Sequence, residues 1–183
     1  MNEKCKWTTS YYLPQKFRFG LLGLSLIILI LDQVTKYYAR HHLDLHEVKQ
    51  FAKFWNWTLA YNQGAAFSFL ADQGGWQQLF FGFIAFVVTV GLVYYILNRA
   101  FSGLTGLALS FILGGASGNL IDRILLGKVT DFIDWYYKVH HWPTFNLADS
   151  FITIGITILI IESLFFAKGR INGSNKPNSF EQR

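Results

Sequence analysis

The stretch from Trp76 to Leu97 reads WQQLFFGFIAFVVTVGLVYYIL and contains no charged side chain. A bilayer core is about 30 Å thick, and an α-helix needs about 20 mostly apolar residues to cross it. This stretch therefore predicts a membrane-spanning helix, and it indicates that the rest of the chain belongs to a helical membrane protein.

Three further stretches have the length and apolar character of membrane spans. They run from about Phe19 to Tyr38, from about Phe101 to Ile121 and from about Ser150 to Ala167. The third span along the chain is rich in Gly, Ala and Ser, which lets helix backbones approach closely inside lipid. The sequence thus predicts one integral membrane domain over residues 1–183, with spans at about 19–38, 76–97, 101–121 and 150–167, loops at about 39–75 and 122–149, and a polar tail at 169–183.

The composition agrees with this fold class. The chain has 183 residues, of which 52% are hydrophobic and only 15% are charged, whereas soluble domains carry roughly 25% charged residues. A single cysteine, Cys5, excludes a disulfide scaffold. The first span has the basic lead and apolar core of a secretory signal, but the residues from Asp32 to Lys36 offer no small-residue cleavage site. We therefore expect the first span to be permanent.

Basic residues indicate the orientation in the membrane. The net charge is +5, which in a soluble protein would suggest a nucleic-acid partner. Here nine basic residues lie at the two ends of the chain and in the short connection between the second and third spans, and basic residues that flank spans mark the cytoplasmic side of a membrane protein. We expect both termini in the cytoplasm, both long loops outside, membrane lipids as partners and no nucleic acid. The residues concerned are Lys4, Lys6, Lys16, Arg18, Arg99, Lys168, Arg170, Lys176 and Arg183.

The first outward loop contains an aromatic and β-branched run from Phe54 to Tyr61. The turn residues Asn62-Gln63-Gly64 follow it, and then the apolar run from Ala65 to Leu70. This pattern predicts a β-hairpin. A bare sheet edge cannot sit in hydrocarbon, so the hairpin should lie at the membrane interface. An aromatic belt with no part in substrate handling is equally compatible with the spacing.

Acidic residues mark the outer ends of three spans. Asp32, Asp122 and Asp149 stand there, and Asp131 lies in the loop between the last two spans. Ionisable groups at membrane depth are costly and suggest function. Two carboxyls held close together share a proton, so that one can activate water while the other protonates a carbonyl oxygen. This is aspartic-peptidase chemistry, which needs no metal and no other cofactor.

Competing interpretations remain for several of these residues. If Asn146 caps the last span, Asp149 is the third helical residue and has a structural role there as well. The segment from Gly115 to Gly118 has the form of the serine motif of rhomboid peptidases, with Ser117 as nucleophile, but all five histidines lie in loops. A four-span transporter or proton-relay component without peptidase activity is the alternative from another class of protein.

Five blocks of the sequence together resemble lipoprotein signal peptidase (signal peptidase II), a bacterial family of intramembrane aspartic peptidases. The resemblance spans roughly Phe19 to Ala167, and the blocks occur in the order of the family. The blocks are Asp32 to Lys36, Tyr61 to Ser68, Gly118 to Arg123, Gly127 to Asp134 and Phe145 to Ser150.

This resemblance implies an endopeptidase of the bacterial cytoplasmic (inner) membrane with its active site near the extracytoplasmic face. Its substrate would be a diacylglyceryl prolipoprotein, cut just before the lipidated cysteine, and the cyclic peptide globomycin would inhibit it. The catalytic pair would be Asp131 and Asp149, although the residues alone leave Asp122 open as the partner of Asp149. The supporting or substrate-binding residues would be Asp32, Asn62, Asn119, Asp122, Arg123 and Asn146, with no metal.

Overall fold

Four long helices dominate the fold. A computed structural model describes residues 13–64 and 76–174, except for the side chains of residues 77 and 165–174. The helices are α1 (Arg18–His42), α2 (Trp76–Asn98), α3 (Gly103–Leu126) and α4 (Leu147–Ser174). Each contains a window that is long and apolar enough to cross a membrane. The predicted class, a helical membrane protein with four spans and a small sheet, is confirmed.

The helices extend beyond the apolar runs because polar groups cap them. The Ser102 hydroxyl accepts a hydrogen bond from the backbone N–H of Thr105 at 2.9 Å, which starts α3. Gly127 ends α3 in the left-handed conformation, with φ of 68°. Helix α1 continues to His42, where the ring Nδ1 atoms of His41 and His42 donate to the carbonyls one turn earlier. Its polar end thus remains helical beyond the predicted limit at Tyr38.

The two outward loops form one antiparallel sheet. Its order is β1 (Val48–Ala52), β2 (Trp55–Asn62), β3 (Val129–Tyr137) and β4 (His140–His141). The aromatic run forms β2 as predicted, but its described partners are β1 and β3. The expected return strand at 65–70 lies outside the described residues. The second loop, expected as a plain loop, therefore supplies two strands to the sheet.

Helix α3 is the centre of the bundle and packs against the other three helices. Small residues allow the close approach, since Gly114 lies against Ile28 of α1 and Gly115 lies against Ala148 of α4. The sheet is fastened to α1 by a buried apolar cluster of Ala39, Leu43, Leu59, Phe132 and Ile133. This packing sets the end of α3 and the start of α4 directly beneath β2 and β3.

Replacing Gly115 by alanine tests this close packing. A Cβ at this position would meet the backbone oxygen of Ala148, and Ile152 Cγ1 would lie at 2.8 Å. We expect Gly115→Ala to lower the free energy of unfolding by about 1–3 kcal/mol, as overpacking does. Gly23→Ala is the matched control, because a Cβ there meets nothing within 4 Å. Thermal melts of both variants in the same detergent measure the difference, and equal melting temperatures would contradict this account.

Candidate active site

Asp131 is a buried acid in β3, with 2% of its surface exposed. The β2–β3 register places it opposite Ala60, close to the end of β2. Its Oδ1 accepts a hydrogen bond from Asn146 Nδ2 at 2.7 Å, and the Asn62 side chain also hydrogen-bonds to it. Burial raises the pKa of Asp131 to about 7, and the negative charge of Asp149 adds to the rise. Asp131 therefore holds a proton up to near-neutral pH.

Asp149 is the third residue of α4 and forms a reciprocal cap with Asn146. Its backbone N–H donates to Asn146 Oδ1 at 2.9 Å, and its Oδ2 accepts from the Asn146 N–H at 3.2 Å. Asn146 thus caps α4, and Asp149 has the structural role that one interpretation of the sequence gave it. The other carboxylate oxygen, Oδ1, accepts from Asn119 Nδ2 at 2.8 Å. Three hydrogen bonds thus hold Asp149 at the N-terminus of α4.

Two carboxamides connect the acids. Asn146 Nδ2, which donates to Asp131, also lies 3.2 Å from Asn119 Oδ1. Because Asn119 donates in turn to Asp149, hydrogen bonds run from Asp131 through Asn146 and Asn119 to Asp149. The positions of the two carboxyls are therefore coupled through the two asparagines.

Asp131 and Asp149 line one cavity of about 520 Å³. Asn62, Asn119 and Arg123 form its polar wall. The cavity is also lined by Ile152, Thr153 and Ile154 of α4 and by Trp135, Trp142 and Phe145. Ile154 is 46% exposed on the outside of the bundle, so the cavity reaches the apolar surface of α4. The cavity thus joins an acidic, amide-lined end to a surface that suits lipid.

A buried charge cluster lies beside these residues. Asp32 Oδ1 accepts from the backbone N–H of Ala148 at 2.9 Å and so ties α1 to the first turn of α4. Its other oxygen lies 2.8 Å from Lys36 Nζ. Asp122 accepts from the Thr130 N–H at 2.8 Å and faces Lys36 and Arg40 at 3.5 and 3.6 Å. Asp122 therefore belongs to this cluster, whereas Asp131 and Asp149 share the cavity.

Arg123 has its hydrogen-bond partner within α3. Its Nη1 donates to the backbone oxygen of Asn119 at 3.3 Å, and its side chain lines the cavity. The cations within 4 Å of the Asp122 carboxylate are Lys36 and Arg40. The sequence interpretation did not use either cation, although the spacing of Lys36 four residues after Asp32 is an available signal for a helical ion pair.

Two other acids in the described part of the chain have hydrogen-bond partners outside the cavity. Asp134 is buried and contacts Asn56 Nδ2 at 2.9 Å and His141 Nδ1 at 2.9 Å. Glu162 accepts from the hydroxyls of Ser102 and Thr105. Among the residues that the structure describes, no group of three or more His, Cys, Asp or Glu side chains is placed to hold a metal ion.

The fold and the cavity together define a multi-pass helical membrane protein with an acid-lined cleft at one end of the bundle. A family model described as Signal peptidase (SPase) II matches residues 24–165. The chain belongs to this signal peptidase II family. It is therefore a protease of the kind that removes signal peptides from lipoproteins, and the alternative of a transporter without peptidase activity is set aside.

Individual relatives and solved structures are similar to this chain over most of its length. The lipoprotein signal peptidase of Acinetobacter baumannii is 48% identical over 155 residues, which cover 84% of this chain and 88% of that protein. That of Teredinibacter turnerae is 48% identical over 147 residues, covering 80% and 88%. A bacterial membrane enzyme solved by the in meso method at 2.3 Å has a TM-score of 0.71 at 31% identity, covering 90% of this chain and 93% of that chain. Another at 1.9 Å has a TM-score of 0.69 at 33% identity, covering 79% and 92%.

Proposed function

We propose that this peptidase cuts diacylglyceryl prolipoproteins just before the lipidated cysteine, with Asp131 and Asp149 as its catalytic pair. The observation that carries the proposal is the shared cavity, in which both carboxyls are held through Asn119 and Asn146. The other four residues of the resemblance have supporting roles. Asn62 and Arg123 line the cavity, and Asp32 and Asp122 hold the surrounding backbone.

The surroundings of the two acids assign their roles. Asp131, with its raised pKa of about 7, is the general acid, and Asp149 at the helix N-terminus is the general base. Asp149 takes a proton from water as the water oxygen bonds to the scissile carbonyl carbon, and Asp131 gives its proton to the carbonyl oxygen. When the C–N bond breaks, Asp149 returns its proton to the amine nitrogen and Asp131 recovers one from a hydroxyl.

The lipid side of the cavity suits the proposed substrate. The signal helix and the acyl chains of a prolipoprotein occupy the same hydrocarbon as the exposed apolar side chains of α4, such as Ile154 and Ile160. Lateral entry past Ile152 and Ile154 brings the peptide to the acids without aqueous delivery. Trp135 and Trp142, which also line the cavity, close over the peptide from the sheet side.

The remaining expectations complete the proposal. Residues 1–183 form one integral membrane domain of the bacterial cytoplasmic (inner) membrane, with both termini in the cytoplasm. The sheet and the cavity lie at the extracytoplasmic face. Globomycin, a cyclic peptide, inhibits the enzyme by occupying the acid-lined cavity in place of the substrate.

Incubation of the purified protein with a diacylglyceryl prolipoprotein tests this function. We expect release of the signal peptide and a new N-terminus at the lipidated cysteine, read by mass spectrometry. Ser117→Ala is the matched control within α3 and should remain active, because no predicted span contains a histidine that could serve as the base for a serine nucleophile. Absence of cleavage, or loss of activity in a folded Ser117→Ala variant, would contradict the proposal.

A further inference from the structure

Lys36 is a fully buried cation in α1, with none of its side-chain surface exposed. Its Nζ lies 2.8 Å from Asp32 Oδ2, 3.5 Å from Asp122 Oδ2 and 2.8 Å from Asn119 Oδ1. An ammonium group has three N–H donors, so the three oxygens match its capacity. Two of these oxygens belong to the charge cluster, and the third belongs to the carboxamide that contacts Asp149.

A lysine next to an asparagine decides which way the asparagine faces. The oxygen and nitrogen of a carboxamide have nearly the same size, so hydrogen-bond partners determine its orientation. Lys36 only donates, and it therefore requires Asn119 Oδ1 on its own side. The Nδ2 group of Asn119 then points to Asp149 Oδ1 at 2.8 Å.

Asn119 Oδ1 also accepts a hydrogen bond from the second carboxamide, that of Asn146. Asn146 Nδ2 lies 3.2 Å from Asn119 Oδ1 and 2.7 Å from Asp131 Oδ1. A cation that polarises Asn119 strengthens the hydrogen bond that Asn119 donates to Asp149, because hydrogen bonds in chains reinforce one another. Lys36 thus acts on both acids through one asparagine.

The energetics suggest a role beyond packing. Burial of an ammonium group is costly, and apolar replacement of a whole buried ion pair is often neutral or stabilising, although removal of one partner alone is not. A buried ion pair is therefore weak evidence that stability alone retains Lys36. Arg40, at 3.6 Å from Asp122 Oδ1, would still give Asp122 a cationic partner if Lys36 were neutral.

We propose that Lys36 is a positioning residue of the peptidase: its ammonium group fixes the carboxamide of Asn119 and thereby holds Asp131 and Asp149 in their catalytic arrangement. This inference rests on the proposed function. Lys36 contacts Asn119 and does not line the cavity. Its effect on the two acids is therefore indirect.

The charge of Lys36 also affects the pH dependence of catalysis. The charged groups that act on Asp131 are Lys36 from α1, Arg123 from α3 and Asp149 from α4, and the neutral donors are Asn62 from β2 and Asn146, the N-cap of α4. The positive charge of Lys36 lowers the pKa of Asp131, against the larger rise caused by burial. Loss of that charge should therefore move the alkaline limb of the pH–rate profile to higher pH.

The double variants Asp32→Asn/Lys36→Met and Asp32→Asn/Lys36→Gln test the proposal. Each removes one positive and one negative charge, so that no additional buried acid is left without a cation. We expect KM to change little, kcat to fall about 10- to 100-fold and the alkaline limb to rise by about one pH unit.

Single Asp32→Asn is the first control, because it keeps Lys36 and should therefore leave the alkaline limb of the pH–rate profile in place. Glu47→Gln/Lys49→Met removes an exposed ion pair of 3.1 Å on the sheet side. This control should leave kcat and the alkaline limb unchanged.

Two outcomes would overturn the inference. If the double variants melt cooperatively and retain both kcat and the pH profile, Lys36 does not position the acids. If single Asp32→Asn folds but neither double variant does, the fold itself requires Lys36, and its role is structural. Cleavage by the unaltered chain is measured first and tests the proposed function separately, so the failure of one claim is distinguishable from the failure of the other.

Discussion

Asp131→Asn is expected to lower the cleavage rate by about 10²- to 10⁴-fold, the contribution of a general acid or base. The carboxamide has the shape of the acid and still offers an oxygen to Asn146 Nδ2, the donor at 2.7 Å. It has no acidic proton to give to the scissile carbonyl. The rate loss should therefore appear in kcat with the site still assembled.

The same substitution should stabilise the fold at alkaline pH. The pKa of Asp131 is about 7 in the folded protein, against an ordinary value of 3.8, so the folded state binds more protons than the unfolded state between these values. The free energy of unfolding therefore falls as the pH rises from about 4 to about 7. Above pH 7, the ionised Asp131 lowers it by about 4 kcal/mol at most. Asn cannot ionise and avoids this cost.

Paired melts and assays at several pH values measure both effects. Asp131→Asn should melt at a higher temperature than the unaltered protein at pH 8, and the difference should shrink toward pH 4. The kcat/KM of the unaltered protein should decline above about pH 7 as Asp131 loses its proton. A variant that melts lower at pH 8 would show that Asp131 is mainly a structural acid.

Asp149→Asn should cause a comparable loss of cleavage with the opposite effect on stability. Asp149 accepts from Asn119 Nδ2 and from the Asn146 N–H through its two oxygens. A carboxamide has one oxygen, so one of these donors would face an NH₂ group instead. The negative charge at the N-terminus of α4 would also be lost, and we expect a destabilisation of about 1 kcal/mol.

Comparison of the two asparagine variants at pH 8 therefore separates catalytic from structural roles. Both should be inactive against the lipidated substrate, whereas their melting temperatures should shift in opposite directions from that of the unaltered protein. Gly23→Ala, which adds a methyl group in open space, is a suitable control for expression and detergent handling. Shifts of the same sign would contradict the different surroundings assigned to Asp131 and Asp149.

The sequence predicted the parts of the fold that depend on local composition. Long apolar runs indicated the four helices, and the aromatic run from Phe54 to Tyr61 indicated β2, which is Trp55–Asn62 in the structure. Strand β3 was missed because Asp131 and Asp134 interrupt its apolar pattern, and both acids are tolerated there only through partners elsewhere, such as Asn146 and Asn56. Such pairing across the chain leaves no local signal.

The candidate site, too, depends on contacts between distant parts of the chain that the sequence alone does not reveal. Spacing brought Asp149 to the start of the last helix, but the resemblance, and not the spacing, distinguished Asp131 from Asp122 as its partner. The structure separates these two acids by their surroundings, since Asp122 meets Lys36 and Arg40 while Asp131 faces the cavity. The contact of Lys36 with Asn119 could not be predicted, because the two residues are 83 positions apart along the chain.

The pairing of β2 with β3 has a consequence for biogenesis. The two strands come from opposite halves of the chain, one before α2 and the other after α3. During synthesis, β2 emerges long before its neighbour exists, and Asp131 gains its contact with Asn62 only when the second half has been translated. Both acids of the proposed pair, Asp131 and Asp149, follow α2 in the chain. Under the proposed function, a chain released after α2 would have neither acid and would not cleave a substrate.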